Sequence, residues 1–137
     1  MNFEIKENIV PTMDELISLY DNVGWSNYTN NPKMLKEAYQ NSLKIISVWD
    51  NNQLVGIIRV VGDGHSIIYI QDLLVLKEYQ RKGIGSKLLG IVVKKYENVY
   101  QKILLTDNET SVVKFYEHCG FSKSEKFGCV AFVNFNF

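Results

Sequence analysis

A mixed α/β (α+β) sheet domain is the fold class this sequence predicts, with elements in the order β-α-α-β-β-β-α-β-α-β. Runs rich in branched and aromatic residues alternate with stretches whose apolar residues recur at helical spacing, which excludes an all-helical or all-strand chain. Three of the strand-like runs follow one another, separated only by the turn sequences Asp50-Asn51-Asn52 and Gly62-Asp63-Gly64, and so form a meander. The chain has 137 residues, and at roughly 100–200 residues per domain that is one domain over residues 1–137.

Phe3, Ile5, Ile9 and Val10, broken by charged residues, give a first strand ending at Pro11. Thr12-Met13-Asp14-Glu15 is a capping box, so a helix starts there, carries Leu16, Ile17, Tyr20 and Val23 on one face, and stops at Gly24. Trp25-Ser26-Asn27-Tyr28 connects it to a second helix, signalled by Asn31 as cap, Pro32 at the first helical position, and Leu35, Ala38, Tyr39 and Ser42 on one face. The meander follows: Ile45 to Trp49, Leu54 to Val61, and Ile67 to Leu76, the last apolar on both faces and therefore expected to be central. Ile84, Leu88, Leu89, Val92 and Tyr96 mark the next helix, with Lys87, Lys94 and Lys95 on its wet side. Ile103-Leu104-Leu105 reads as a short buried strand, Val112, Phe115, Tyr116 and Cys119 as a helix stopped by Gly120, and Val130 to Phe137 as a last strand.

Apolar residues make up 46% of the chain and charged residues 22%, so a packed core rather than disorder is expected. Fifteen Lys and Arg balance fifteen Asp and Glu to a formal net charge of zero, which argues against a nucleic-acid partner, since backbone binding needs a clustered basic face. Two cysteines, Cys119 and Cys129, are too few for a disulfide scaffold or a paired-cysteine zinc site; they suit a reducing compartment, and no metal is expected. No basic segment precedes an apolar run at the N-terminus, and nothing approaches the ~20 apolar residues of a membrane span. The expectation is a soluble, cytoplasmic protein with no membrane partner.

The chemistry is concentrated at Gln80-Arg81-Lys82-Gly83-Ile84-Gly85-Ser86, which follows a strand and opens an amphipathic helix. Amides exposed at a helix start, with glycines that let a ligand approach, form a site for phosphate. The loop is not a Walker motif: Gly85 and Gly90 have the spacing, but Ile91 and Val92 stand where Lys and Ser/Thr are required. Leu88 occupies the third glycine position of a dinucleotide fingerprint.

With Gln80, Gly83 and Gly85 in a Gln/Arg-x-x-Gly-x-Gly/Ala pattern after Asp72-Leu73-Leu74-Val75, the sequence resembles the GNAT superfamily of N-acetyltransferases, and the element order carries the resemblance over nearly the whole chain. Phe115-Tyr116 followed by Gly120-Phe121 is similar to the family's helix after the splayed strands. The resemblance implies that acetyl-CoA is the acyl donor, with its pyrophosphate on the amides of Arg81, Lys82, Gly83, Ile84, Gly85 and Ser86 and its pantetheine arm paired as an extra strand with Leu73, Leu74 and Val75. The strands around Val75 and Leu104 are expected to splay, leaving an amide to bind the thioester oxygen. The family's pantetheine asparagine has no exact counterpart: Glu109 stands at its place and Asn108 is one position off.

The resemblance further implies direct transfer to an amine in a ternary complex. It assigns Tyr116 as the acid that protonates the leaving thiolate, and Asp72 as the base for the ammonium acceptor, with His65 or a water chain as rivals. Trp25 and Tyr28 fall where the family roofs its acceptor pocket; Phe127 and Cys129 are weaker candidates for the same wall. Arg59 reads as a surface or salt-bridge residue. The acceptor is expected to be a small-molecule primary amine, or else a peptide. The alternative activity is a noncatalytic acyl-CoA-binding module. A homodimer is also open, with Phe135 and Phe137 of the last strand offering a face for pairing.

Overall fold

In the computed structural model, which describes residues 2–136, the strands β1 (Phe3–Glu7), β2 (Lys44–Asp50), β3 (Gln53–Gly62), β4 (Ile67–Val75) and β5 (Gln101–Leu104) form one sheet in chain order. The first four pair antiparallel and β5 pairs parallel to β4. The short Asp50–Gln53 and Gly62–Ile67 connections allow only hairpins, whereas the β4-to-β5 connection carries a whole helix, as a parallel crossover requires. The central, fully buried strand is β3, in which Leu54 through Val60 are all buried. β4, expected at the centre, lies one place over, and its alternate residues Ile68, Ile70, Asp72 and Leu74 are buried.

Helix α1 (Met13–Asn22) begins at the predicted capping box: the Thr12 hydroxyl accepts from the Glu15 amide at 3.2 Å and Glu15 accepts from the Thr12 amide at 2.9 Å. The Trp25–Tyr28 connection is not plain loop but holds a single helical turn, α2 (Ser26–Thr29). Helix α3 (Pro32–Gln40) starts at Asn31 with Pro32 in the first turn. Leu16, Leu19 and Tyr20 of α1 and Leu35 and Tyr39 of α3 are buried, as are Ile84, Leu88, Leu89 and Val92 of α4 (Ile84–Lys95). Helix α4 sits close on the sheet because Gly56 has no side chain: a Cβ there would lie 3.0 Å from Ile84 Cγ2 and 3.4 Å from the Leu74 carbonyl.

The chain divides into two compact units, Met1–Leu105 and Thr106–Phe137. Everything above belongs to the first. The second holds α5 (Thr110–His118) and a 3-10 turn at Ser124–Phe127. Two expectations, one in each unit, are corrected. β5 is half-exposed rather than buried, with Ile103 39% exposed, because it is the sheet's edge. Residues 130–136 form no strand, and Val130 and Phe132 stand 70% and 93% exposed; apolar alternation yields a strand only where a neighbouring ladder accepts it. Phe137, the end of that expected strand, lies outside the described residues. Among the described residues no helix is long and apolar enough to cross a membrane.

Candidate active site

β4 outruns its parallel neighbour. Its pairing with β5 ends at Ile70↔Leu104, while its pairing with β3 continues to Gly56↔Val75. From Gln71 to Val75, including the predicted Leu73, Leu74 and Val75, β4 therefore has no β5 partner, and this is the expected splay. A strand edge left open in mid-sheet is a place where an extended ligand can add itself by backbone hydrogen bonds.

That edge leads, through a 3-10 turn at Lys77–Tyr79, into the glycine loop. Gln80 reaches back, its Nε2 donating to the Val75 carbonyl at 3.0 Å, which ties the loop to the end of β4. Arg81 and Gly83 both take left-handed backbone, φ +64° and +83°. At Gly83 this favours glycine, and the space around it is open, with nothing within 4 Å of where a Cβ would stand. Gly83 is also the N-cap of α4, and no side chain caps the helix there. The first amides of α4 have no partner inside the helix, and Ile84, Gly85 and Ser86 supply them. Arg81, Lys82, Gly83 and Ser86 are exposed, so uncapped donors at the positive end of a twelve-residue helix face an approaching anion.

On the buried face of β4, Asp72 is 1% exposed and ion-paired with Arg59, whose Nε donates to Oδ2 at 2.7 Å. The two strands bring them opposite each other, since Arg59↔Asp72 is a ladder pair at a bulge between Arg59 and Val60. The Tyr20 hydroxyl donates to the same Oδ2 at 2.7 Å and stands 2.8 Å from the Tyr39 hydroxyl, which therefore donates to it. Asp72 Oδ1 is buried without a hydrogen-bond partner. Burial, then the neighbouring Tyr39 and Asp72, push the Tyr20 hydroxyl far above the usual phenol range, and burial followed by the Asp72 charge raises Tyr39. Burial lowers Arg59, but the Asp72 charge and hydrogen bond raise it more, so the guanidinium is held charged. Arg59 is thus the salt-bridge residue of the two alternatives, and it is not at the surface.

Trp25 and Tyr28 come together above this network. Their rings stack at 6.1 Å, and Tyr28 lies 5.2 Å from the Tyr20 ring. Gln71 Nε2 donates to the Tyr28 hydroxyl at 2.9 Å. Burial first, then the Asp72 charge, raise the Tyr28 hydroxyl above its ordinary value. His65 is not brought to this group. It is exposed in the β3–β4 turn, where its amide donates to Asp63 Oδ1 at 2.7 Å. Seven residues of near-extended chain at about 3.3 Å each put it roughly 20 Å from Asp72, at the end of β4 away from the glycine loop.

In the second unit, Tyr116 lies on α5 with its ring edge against Phe115 at 5.0 Å and against Phe121 at 6.2 Å. Burial, then the neighbouring Cys119, push its hydroxyl up to about 12. Asn108 is exposed two residues before α5, whose N-cap is Glu109. Phe127 and Cys129 are exposed, and Cys119 is half-buried. No cluster of three or more His, Cys, Asp or Glu placed to hold a metal ion occurs among the described residues.

Sequence reasoning treated Tyr20 and Tyr39 as apolar helix faces and missed their hydroxyls. A signal was present: Arg59 and Asp72 are single, opposite charges embedded in apolar runs of adjacent meander strands. Two such charges can be buried only as a pair, and the remaining carboxylate lone pairs then require donors from the helices covering that face.

Residues 14–135 match the acetyltransferase (GNAT) domain family. The chain is similar, at 30% identity over 88% of its length and 68% of the relative's, to an uncharacterized N-acetyltransferase ycf52 of Gracilaria tenuistipitata var. liui. Among solved structures it is similar to a GNAT-family acetyltransferase from Streptococcus pneumoniae TIGR4, with a TM-score of 0.88, 36% identity and 98% of each chain covered. It shares its fold, at 14% identity, a TM-score of 0.74 and full coverage of both chains, with AAC(6')-Iy, solved with a bisubstrate analogue, CoA-S-monomethyl-acetylneamine.

Proposed function

This chain belongs to the GNAT acetyltransferase family and is an acyltransferase, and from that premise we propose that it moves the acetyl group of acetyl-CoA directly to a primary amine of a small molecule, or of a peptide, in a ternary complex. The observation that carries the reading is the open edge of β4 running straight into the uncapped start of α4. Leu73, Leu74 and Val75 take the pantetheine arm as a further strand, and the amides of residues 81–86 take the pyrophosphate, with Gln80 bracing the loop. A similar solved fold holds a CoA-based bisubstrate analogue, which favours the same donor here.

Holding amine and thioester together supplies much of the acceleration, so no covalent enzyme intermediate is needed. Trp25 and Tyr28 form the acceptor wall, Asp72 is the base, Tyr116 hydrogen-bonds the departing sulfur, and Asn108 contacts the pantetheine. Residues 1–137 act as one catalytic domain. Two free thiols suit the cytoplasm, and the exposed Val130 and Phe132 motivate a homodimer, which sedimentation tests.

The direct test is thiol release from acetyl-CoA over a panel of amines. Turnover with intersecting initial-rate patterns supports direct transfer; parallel patterns overturn it in favour of a covalent route. CoA binding without turnover on any amine moves the chain to the noncatalytic acyl-CoA module. Replacing both Gly83 and Gly85 by leucine is expected to abolish CoA binding in calorimetry, and unchanged affinity overturns the loop assignment.

A further inference from the structure

Asp72 is walled in on one oxygen and orphaned on the other. Arg59 and Tyr20 both donate to Oδ2, and Tyr39 completes the chain behind Tyr20. Oδ1 is buried with no partner, a costly arrangement for a carboxylate oxygen. An acceptor amine arriving from solvent cannot touch it. A base so placed needs an intermediary that meets both the carboxylate and the acceptor.

Tyr28 fits that position. It is half-buried, it forms the aromatic wall with Trp25, its ring lies 5.2 Å from that of Tyr20, whose hydroxyl binds Asp72, and after burial the Asp72 charge raises its hydroxyl. Gln71 donates to the Tyr28 oxygen, which uses one of its two lone pairs and leaves the other for an incoming N–H, with the phenol proton free to point at the carboxylate. We propose that Tyr28 is a catalytic residue whose hydroxyl touches the acceptor nitrogen and relays the ammonium proton to Asp72 Oδ1.

The step balances as a double hop. The nitrogen gives a proton to the Tyr28 oxygen while the phenol's own proton passes to Oδ1, so one proton moves from ammonium to carboxylate and Tyr28 stays neutral throughout. The freed nitrogen lone pair forms the C–N bond to the acetyl carbon, the C–S bond breaks with its electrons on sulfur, and the second proton that nitrogen sheds on becoming an amide ends on the departing thiolate, giving the free thiol of CoA. The proton returns to water by the same path once product has gone. The raised value of the Tyr28 hydroxyl accords with a phenol that hands protons on without ionising. The groups facing Asp72 are Arg59 from β3, Tyr20 from α1, Tyr39 from α3 behind it, Tyr28 from α2 and Tyr69 of β4; those facing Tyr28 are Gln71, Tyr20, Trp25, Asp72 and Arg59. Tyr20 is a positioning residue, occupying Oδ2 so that Oδ1 receives the proton.

This inference rests on amine acetylation, so absence of turnover by the wild-type enzyme on every amine overturns both readings. With an amine that turns over, the experiment is the pH profile of kcat/KM for Tyr28→Phe, Asp72→Asn, the double variant, and Trp25→Phe. Tyr28→Phe is expected to lose roughly 10²-fold well below the acceptor's pKa and to approach wild type as the acceptor deprotonates in solution, with CoA affinity unchanged in calorimetry. The double variant is expected to lose no more than the worse single variant, because relay and base act in series. Trp25→Phe, which trims the wall alone, is expected to raise KM for the amine and keep the wild-type profile shape. A wild-type profile in Tyr28→Phe, or losses that multiply in the double variant, overturns the relay while leaving the acetyltransferase reading intact. Should Asp72→Asn fail to fold, Gln71→Leu decides beside Tyr28→Phe: a smaller loss with the same pH dependence supports the relay, and a pH-independent loss overturns it.

Discussion

Tyr116 illustrates how a residue's surroundings limit the role its type suggests. Its hydroxyl is pushed up to about 12, first by burial and then by Cys119, whereas an ordinary thiol titrates near about 8.5. Complete proton transfer from such a phenol to a thiolate runs uphill, so the contribution we propose for it is a hydrogen bond that strengthens as charge builds on sulfur. Tyr116→Phe is therefore expected to slow the chemical step by only about 10²-fold, the low end for a general acid, with the loss in kcat rather than KM. Single-turnover kinetics checks this, because slow product release cannot hide the step there; a wild-type rate returns Tyr116 to simple packing on α5. Asp72→Asn carries a structural cost as well, since it leaves Arg59 buried beside a neutral amide. Breaking a buried pair in this way costs about 3–5 kcal/mol, and the midpoint of urea unfolding should fall accordingly.

Among the elements, α4 is the one whose placement the site depends on most, and Gly56 sets how closely it approaches the sheet. A valine there would drive Ile84 Cγ2, 3.0 Å from the added Cβ, away from β3 and with it the first turn, whose amides are proposed to take the pyrophosphate. Gly56→Val is expected to weaken CoA binding at least tenfold in calorimetry with the loop sequence intact. Thr12→Ala removes the hydroxyl that accepts from the Glu15 amide while leaving the bond from the Thr12 amide to Glu15 in place, and is expected to lower stability by about 1 kcal/mol in denaturant unfolding. The starts of α1 and α3, the meander and α4 were legible in the sequence because caps, turns and apolar spacing are local signals. The end of the β4–β5 pairing at Ile70 and Leu104 was expected only through resemblance, because nothing in the composition of β4 says where a distant strand will leave it. The last strand was over-read: residues 130–136 have strand composition, but pairing is decided by an available edge and not by propensity. The buried Arg59–Asp72–Tyr20–Tyr39 group was half legible, its charges conspicuous in apolar runs and its phenols hidden among core positions.

Taken over the whole molecule, every buried residue among those described lies in the unit Met1–Leu105, and at its centre are phenols that must stay neutral. Tyr20 and Tyr39 are raised well above the ordinary tyrosine value by burial and by the neighbouring charge of Asp72. In the unfolded chain both would ionise near about pH 10. Above that pH the folded state keeps these protons and the unfolded state releases them, so the unfolded state binds fewer protons and stability falls as pH rises. Below it both states hold them and the contribution is complete. The expected outcome is an alkaline transition in which the tyrosinate absorbance of Tyr20 and Tyr39 appears together with the loss of far-ultraviolet circular dichroism. Tyr20→Phe/Tyr39→Phe should remove that coincident rise, since no phenol is then trapped at the centre. Tyrosinate absorbance from Tyr20 and Tyr39 that develops fully before the helical signal changes would mean that solvent reaches these hydroxyls in the folded state, and the sealed environment assigned to Asp72 would fail with it.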